Sequence, residues 1–316
     1  MDNYQNLYII PASSHLSTDD WDSNAMPVTA DADAIHVLLS RRAVVSSLES
    51  DGYAIGVAVA GHSARSANVT ARLLLPYLEQ KVSERALCIT RAVGWEPYPV
   101  TLIPPPHGGK DVYDGYKEQY TKLHIWTLDK QGVDSAVYID ADTLVLRNFD
   151  ELFNLPFNFA AAPDVRLGRR GFDITFNAGV LAFRPSSAVY EDMRTKVEVA
   201  KYPLQEAEQA FLNLYFGGTV LRLPYIYNGN LAIKMRNTIL WRRLVEEMRV
   251  VHYTLAKPFL PDPSHSEAIL TEEQIVDALE QGARRKGGIF WEEMTWWETA
   301  YRKMMVDHGH TIEQCQ

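Results

Sequence analysis

Ala136-Val137-Tyr138-Ile139-Asp140-Ala141-Asp142-Thr143-Leu144-Val145 is the stretch whose reading decides the fold. A four-residue apolar run reads as a strand, and it ends abruptly in two carboxylates. Alternation along an extended chain predicts that Asp140 and Asp142 point the same way, so both reach one hard cation at the edge of a sheet. Bound there, a cation can neutralise a diphosphate.

Companions for that strand lie on both sides of it. Ala43-Val44-Val45, then Phe159 to Ala162, Gly179 to Phe183, Thr219 to Leu223 and Arg249 to Tyr253 read as further short strands. Amphipathic segments fall between them, one predicted as a helix from Tyr53 to near Leu78. Strands alternating with helices imply a mostly parallel sheet covered on both faces, with ligands gathered at the carboxyl ends of the strands. The Pro104 to Lys110 segment reads as a loop, and its Gly-Gly-Lys lacks the glycine spacing of a nucleotide P-loop.

Composition bounds the rest. The chain has 316 residues, 47% hydrophobic and 22% charged, enough for one large α/β domain or two smaller ones and unlike a disordered or collagen-like chain. Its 31 Lys and Arg against 40 Asp and Glu leave a net charge of −9, which argues against nucleic-acid and anionic-membrane binding. Any polyanion needs a local device such as the cation on Asp140 and Asp142. Cys88 and Cys315 are too far apart for a zinc-type cluster and too few for a disulfide scaffold, so a reducing, cytoplasmic compartment is expected. The first ten residues lack a basic region and meet Pro11 early, unlike a secretory signal, and no apolar run approaches the roughly 18 residues of a membrane span.

Residues 1–34, rich in Ser, Asp, Thr, Ala and Pro without periodicity, read as a loosely ordered polar leader. A folded unit is expected over 35–260, then a linker through Pro261, Pro263 and His265 into a helical extension over 261–316. In that extension Trp291, Met294, Trp297, Tyr301 and Met304 recur at three- and four-residue intervals, one apolar helix face expected to pack on the main domain.

Tyr138-Ile139-Asp140-Ala141-Asp142-Thr143-Leu144-Val145, followed by Asn148, Phe149, Asp150, Glu151, Leu152 and Phe153, resembles the metal-binding block of family 8 glycosyltransferases, the group that includes glycogenin and galactinol synthase. Other blocks follow in the family's order. Val44 to Leu48 with Asp51, Tyr53 and Gly56 resembles the uridine-binding strand and turn, and Thr121 to Trp126 the helix bearing a diphosphate-contacting lysine. Ala161 to Asp164 and Phe176 to Val180 are similar to donor-sugar segments. Glu208-Gln209, Leu223 to Asn228, and Val251-His252-Tyr253 with Lys257-Pro258 complete the series.

The resemblance implies a GT-A type, Rossmann-like three-layer α/β sandwich and transfer of a hexose or N-acetylhexosamine from a UDP-sugar with retention of configuration. It implies a metal held by Asp140, Asp142 and His252; the imidazole beside two carboxylates favours Mn2+, with Mg2+ the alternative. Leu48, Ser50, Tyr53, Lys122, Asp140, Ala141, Asn177, Ala178 and Lys257 are the implied donor-binding residues. Lys257, with Asp164, Glu208 and Gln209 on the sugar side, forms the implied catalytic set, and the sequence leaves their roles open. An amide is a poor nucleophile, so with Gln209 on the reactive face, attack through an ion-pair-like state is favoured over double displacement.

Departures from the family pattern predict differences at the site. Glu208 stands for an aspartate, Glu206-Ala207 for Gly-Gly, and Glu49-Ser50 for a Thr-Asn pair in the uridine turn. Seven residues beyond Asn228, where glycogenin-like chains carry the tyrosine that receives glucose, stands Met235. A thioether cannot accept a sugar, so an external acceptor is expected: a small molecule, lipid headgroup, glycan or protein. A polyol acceptor and a catalytically silent sugar-nucleotide-binding module are the competing readings, and a homodimer is among the expected assemblies.

Overall fold

The structure is a computed structural model that describes residues 39–168, 171–260 and 267–316. The expected leader and the Pro261 to His265 linker lie outside the described residues. The chain begins β1 (Arg42–Val45), α1 (Ala54–Ser66), β2 (Arg72–Leu78), α2 (Glu84–Ala92) and β3 (Glu96–Val100). After a run of 3-10 turns (Gln119–Gln131) come β4 (Ser135–Ile139), β5 (Thr143–Val145), β6 (Phe159–Val165) and β7 (Phe172–Phe183). Then follow α3 (Ser187–Lys196), α4 (Ala207–Phe216), β8 (Leu221–Arg222), β9 (Gly229–Asn230), α5 (Leu231–Arg236), α6 (Thr238–Val245) and β10 (Val250–His252). The extension forms α7 (Glu272–Gly288) and α8 (Trp291–Glu313).

Seven strands form one sheet in the order β3-β2-β1-β4-β7-β6-β8. From β3 to β4 every pairing is parallel, β7 runs antiparallel to both neighbours, and β8 is again parallel to β6. Strand alternation splits the core in two. Val44, Val137 and Ile139 face α1, α2 and α8, whereas Ala43, Val45, Ala136 and Tyr138 face the 3-10 run, α3 and α4. This is the expected mostly parallel three-layer α/β sandwich. A small sheet, β5-β10-β9, stands beside it and brings His252 alongside Thr143.

Two local expectations fail. The helix predicted from Tyr53 to near Leu78 stops at Ser66: Asn68 adopts a left-handed φ of 57°, and Arg72–Leu78 is β2. Leu73-Leu74-Leu75 is uniformly apolar because both faces of a central strand are buried, so length and periodicity could not separate it from helix. β3 was not foreseen because Pro97 and Pro99 interrupt it; it is the edge strand, where proline is tolerated.

The helical extension folds back on the main unit. Met294, Trp297, Tyr301 and Met304 are buried in the large core, while Trp291 is 65% exposed and lies off the apolar face. The two cysteines, expected to stay reduced, are joined: Cys88 on α2 and Cys315 just beyond α8 form a disulfide across 227 residues. Spacing cannot reveal a pair made by a tail returning across the fold, so cysteine usage no longer argues for a reducing compartment.

Candidate active site

β4 delivers the two aspartates, though not by alternation. The chain turns immediately after Ile139: Asp140 O accepts from Thr143 N (3.1 Å) and Thr143 Oγ1 (2.8 Å), and this turn makes the carboxylates converge. Asp140 Oδ1 accepts from the Tyr138 hydroxyl (2.7 Å) and faces Lys122 Nζ (3.1 Å). Asp142 is buried, with Oδ1 at 3.2 Å from His252 Nε2 and Oδ2 paired with Lys257. Burial alone would raise the Asp142 pKa; the charges of Lys257 and His252 outweigh it and hold the carboxyl well below the usual range. Ligand atoms of Asp140, Asp142 and His252 lie within 4.8 Å of one another, a grouping able to hold a metal ion.

The hydrogen-bond order places a proton on His252 Nδ1. Gly179 N–H donates to Asn177 Oδ1 (3.0 Å), and the same oxygen accepts Asn228 Nδ2 (2.9 Å). Asn228 therefore presents Oδ1 to His252 Nδ1 (3.0 Å), which must be the protonated nitrogen, and Nε2 is turned to the carboxylates. Two carboxylates and an imidazole whose Nε2 faces them form a donor set that fits a divalent cation. Gly179 leaves room for the ring, since a Cβ there would stand 2.1 Å from His252 Cε1. Asn228, which the sequence reading used only as a landmark, is the residue that orients His252; a neutral amide shows such a contact only once its neighbours are in place.

Lys122, from the 3-10 run, is buried. Its Nζ meets Glu208 Oε1 (2.8 Å), Asp140 Oδ1 (3.1 Å) and Ala178 O (3.4 Å), and sits 4.7 Å above the Tyr138 ring. Desolvation works against its charge, but Asp140 and Glu208 win and raise its pKa well above normal. Glu208 is pushed up by burial, against the pull of Lys122. Its second oxygen, Oε2, is buried without a hydrogen-bond partner.

Beside this pair lies an amide cluster. Gln209 Oε1 accepts from Ala178 N (2.9 Å) and Asn177 Nδ2 (3.2 Å), and its Nε2 donates to Asp164 Oδ2 (3.1 Å). Asp164 also accepts from Asn177 Nδ2 and Val165 N. It lies where the β6–β7 register shifts, an irregularity that redirects a side chain. Asp164, Asn177, Ala178, Glu208 and Gln209 therefore share one wall. Ala207, before Glu208, holds φ 48° and ψ −135°, a conformation suited to glycine.

Leu48, Ser50, Tyr53 and Ala141 were expected on the nucleotide side. Leu48 is buried and extends the β1–β2 pairing through bonds with Pro76 and Leu78, and Ser50 precedes the 3-10 turn Asp51–Tyr53. Tyr53 packs edge-on against Phe259 (5.9 Å), and burial pushes its phenol up to about 12. Ala141 O backs onto α1 at Gly56, where a Cβ would approach it to 2.7 Å. Glu49 keeps some residue surface, yet its carboxyl is enclosed; burial foremost, with Asp140 and Glu208 adding, raises its pKa to about 7 against Ser47 and Lys122.

Comparison with known proteins gives the family. Residues 45–260 match the model of glycosyl transferase family 8. The chain is 33% identical over 139 residues to glycogenin-1 of Caenorhabditis elegans, covering 42% of this chain and 30% of that protein. It is 34% identical over 168 residues to galactinol synthase 1 of Solanum lycopersicum, covering 46% and 50%. The chain thus spans between about a third and half of the length of these curated relatives. In fold it resembles the apo structure of the bifunctional glycosyltransferase WbbM, with a TM-score of 0.51 at 20% identity over 82% of this chain and 52% of that one. The fold is therefore GT-A, and the chain belongs to glycosyl transferase family 8.

Proposed function

We propose that the chain transfers a hexose or N-acetylhexosamine from a UDP-sugar to an external hydroxyl, with retention of configuration and dependence on manganese. The observation that carries the reading is the convergence of Asp140, Asp142 and His252 within reach of one ion, flanked by Lys122 and Lys257 and adjoining the Asp164–Asn177–Gln209 wall. A metal bound by Asp140, Asp142 and His252 supplies positive charge to a departing diphosphate. Lys122 and Lys257 are cations fixed in the same pocket and stabilise that charge without proton transfer. Asp164, Asn177 and Glu208 are the groups we assign to the sugar hydroxyls. Gln209 Oε1 already accepts two N–H donors, which favours same-face attack over a covalent intermediate.

Met235 supports an external acceptor: it is partly buried against the core and chemically unable to take a sugar. The decisive experiment is UDP-sugar hydrolysis with and without manganese, in the unsubstituted chain and in Asp142→Asn. Turnover is expected only with the metal, and the variant should lose it while keeping its fold. Tight UDP binding with no turnover of any UDP-sugar would establish a silent binding module instead. Comparing free-sugar release with transfer to polyols, glycans and lipid headgroups then identifies the acceptor class.

A further inference from the structure

The loop that carries Lys257 is held from outside the region matched by the family model. It runs from His252, at the end of β10, to Phe259, and is tied to the rest of the site by Tyr253 N to Asp142 O (2.8 Å), Thr254 Oγ1 to Asn230 Oδ1 (2.7 Å) and the Lys257–Asp142 pair itself, with Ala256 N to Tyr253 O (3.3 Å) inside the loop. The C-terminal helices grip it at three points. The Tyr253 hydroxyl donates to Glu293 O on α8 (2.6 Å), Arg285 Nη1 donates to Leu255 O (2.6 Å), and the Phe259 ring lies against Trp297 with centroids 6.2 Å apart.

Two of these grips are parts of the core, but the third is different. Glu293 is fully buried, its carboxylate bound by Lys234 (2.6 and 2.8 Å) and Trp241 Nε1 (2.8 Å), so α8 cannot shift without exposing a buried charge pair. Arg285 is exposed and stands at the break in α7, where its ψ of 142° and the left-handed Lys286 and Gly287 end the helical path. That break aims its guanidinium at the loop, two residues before Lys257, through a charge-assisted hydrogen bond.

We propose that Arg285 is a positioning residue of the donor site, bracing the 253–259 loop so that Lys257 stays directed at Asp142 and the diphosphate position. The inference rests on the donor-site reading above, and its test has one part that does not. In Arg285→Ala, deuterium uptake over residues 253–260 rises while that of β4 is unchanged, with no nucleotide present. With manganese, UDP affinity falls roughly tenfold and UMP affinity holds, because UMP lacks the second phosphate. Arg285→Lys restores part of the loss. Adding Arg285→Ala to Lys257→Ala costs much less than the product of the two single losses, since one acts through the other. Unchanged uptake over 253–260, or losses that multiply fully, would overturn the proposal. If the unsubstituted chain binds no UDP, the donor-site reading fails, and hydrogen exchange still decides whether Arg285 braces the loop.

Discussion

Because Asn228 offers its carbonyl oxygen to His252 Nδ1, that nitrogen keeps its proton and Nε2 is held toward Asp140 and Asp142. Asn228→Ala removes that orientation without touching a ligand atom, and manganese affinity should fall about 10- to 100-fold, read by calorimetric titration with the circular dichroism spectrum unchanged. An unaltered affinity would refute the orienting role of Asn228. Glu49 makes a second prediction, on pH. Its folded pKa near 7 lies above the ordinary 4.5, so between those values the native state keeps a proton that the unfolded chain has lost. Stability therefore falls as pH rises across that window and levels off above it. Glu49→Gln stays neutral throughout, and its melting temperature should gain on the unsubstituted chain from pH 5 to pH 8; parallel profiles would refute the shift. Neither role could be read from sequence: Glu49 registered there only as a departure from a Thr-Asn pair, because enclosure by Lys122, Asp140 and Glu208 is made by three separate elements.

β4 was legible because a strand buried on both faces must be apolar at every position, and its abrupt acidic end marks the sheet's carboxyl edge. The same uniformity hid β2, which a helical reading absorbed, and the prolines of β3 masked an edge strand. The convergence of Asp140 and Asp142 was anticipated for the wrong reason, since a turn closed by Thr143 achieves what alternation was expected to do. For α8 the three- and four-residue spacing found the buried face but could not say what it covers. Trp297 is fully buried against Phe259 and Tyr301. Trp297→Ala should cost about 3–5 kcal/mol, measured as a lowered urea midpoint. A loss under about 1 kcal/mol would mean that the extension adds little to the core.

Among the described residues the C-terminal helices wrap the sheet core, and no helix is long and apolar enough to cross a membrane. α8 packs across α1 and α2, and the Cys88–Cys315 bond fastens the end of that wrap. Cross-linking so long a loop restricts the unfolded chain, so Cys315→Ser or a thiol reductant should remove about 2–5 kcal/mol of stability, read as a drop in melting temperature. No change on reduction would show that helix packing alone secures the tail. The bond also turns residues 88–315 into a covalent ring that contains Asp140, Asp142, Lys122, His252 and Lys257. A protease that cuts once anywhere inside that ring makes two ends but releases no fragment, and the halves travel together until a thiol opens the circle.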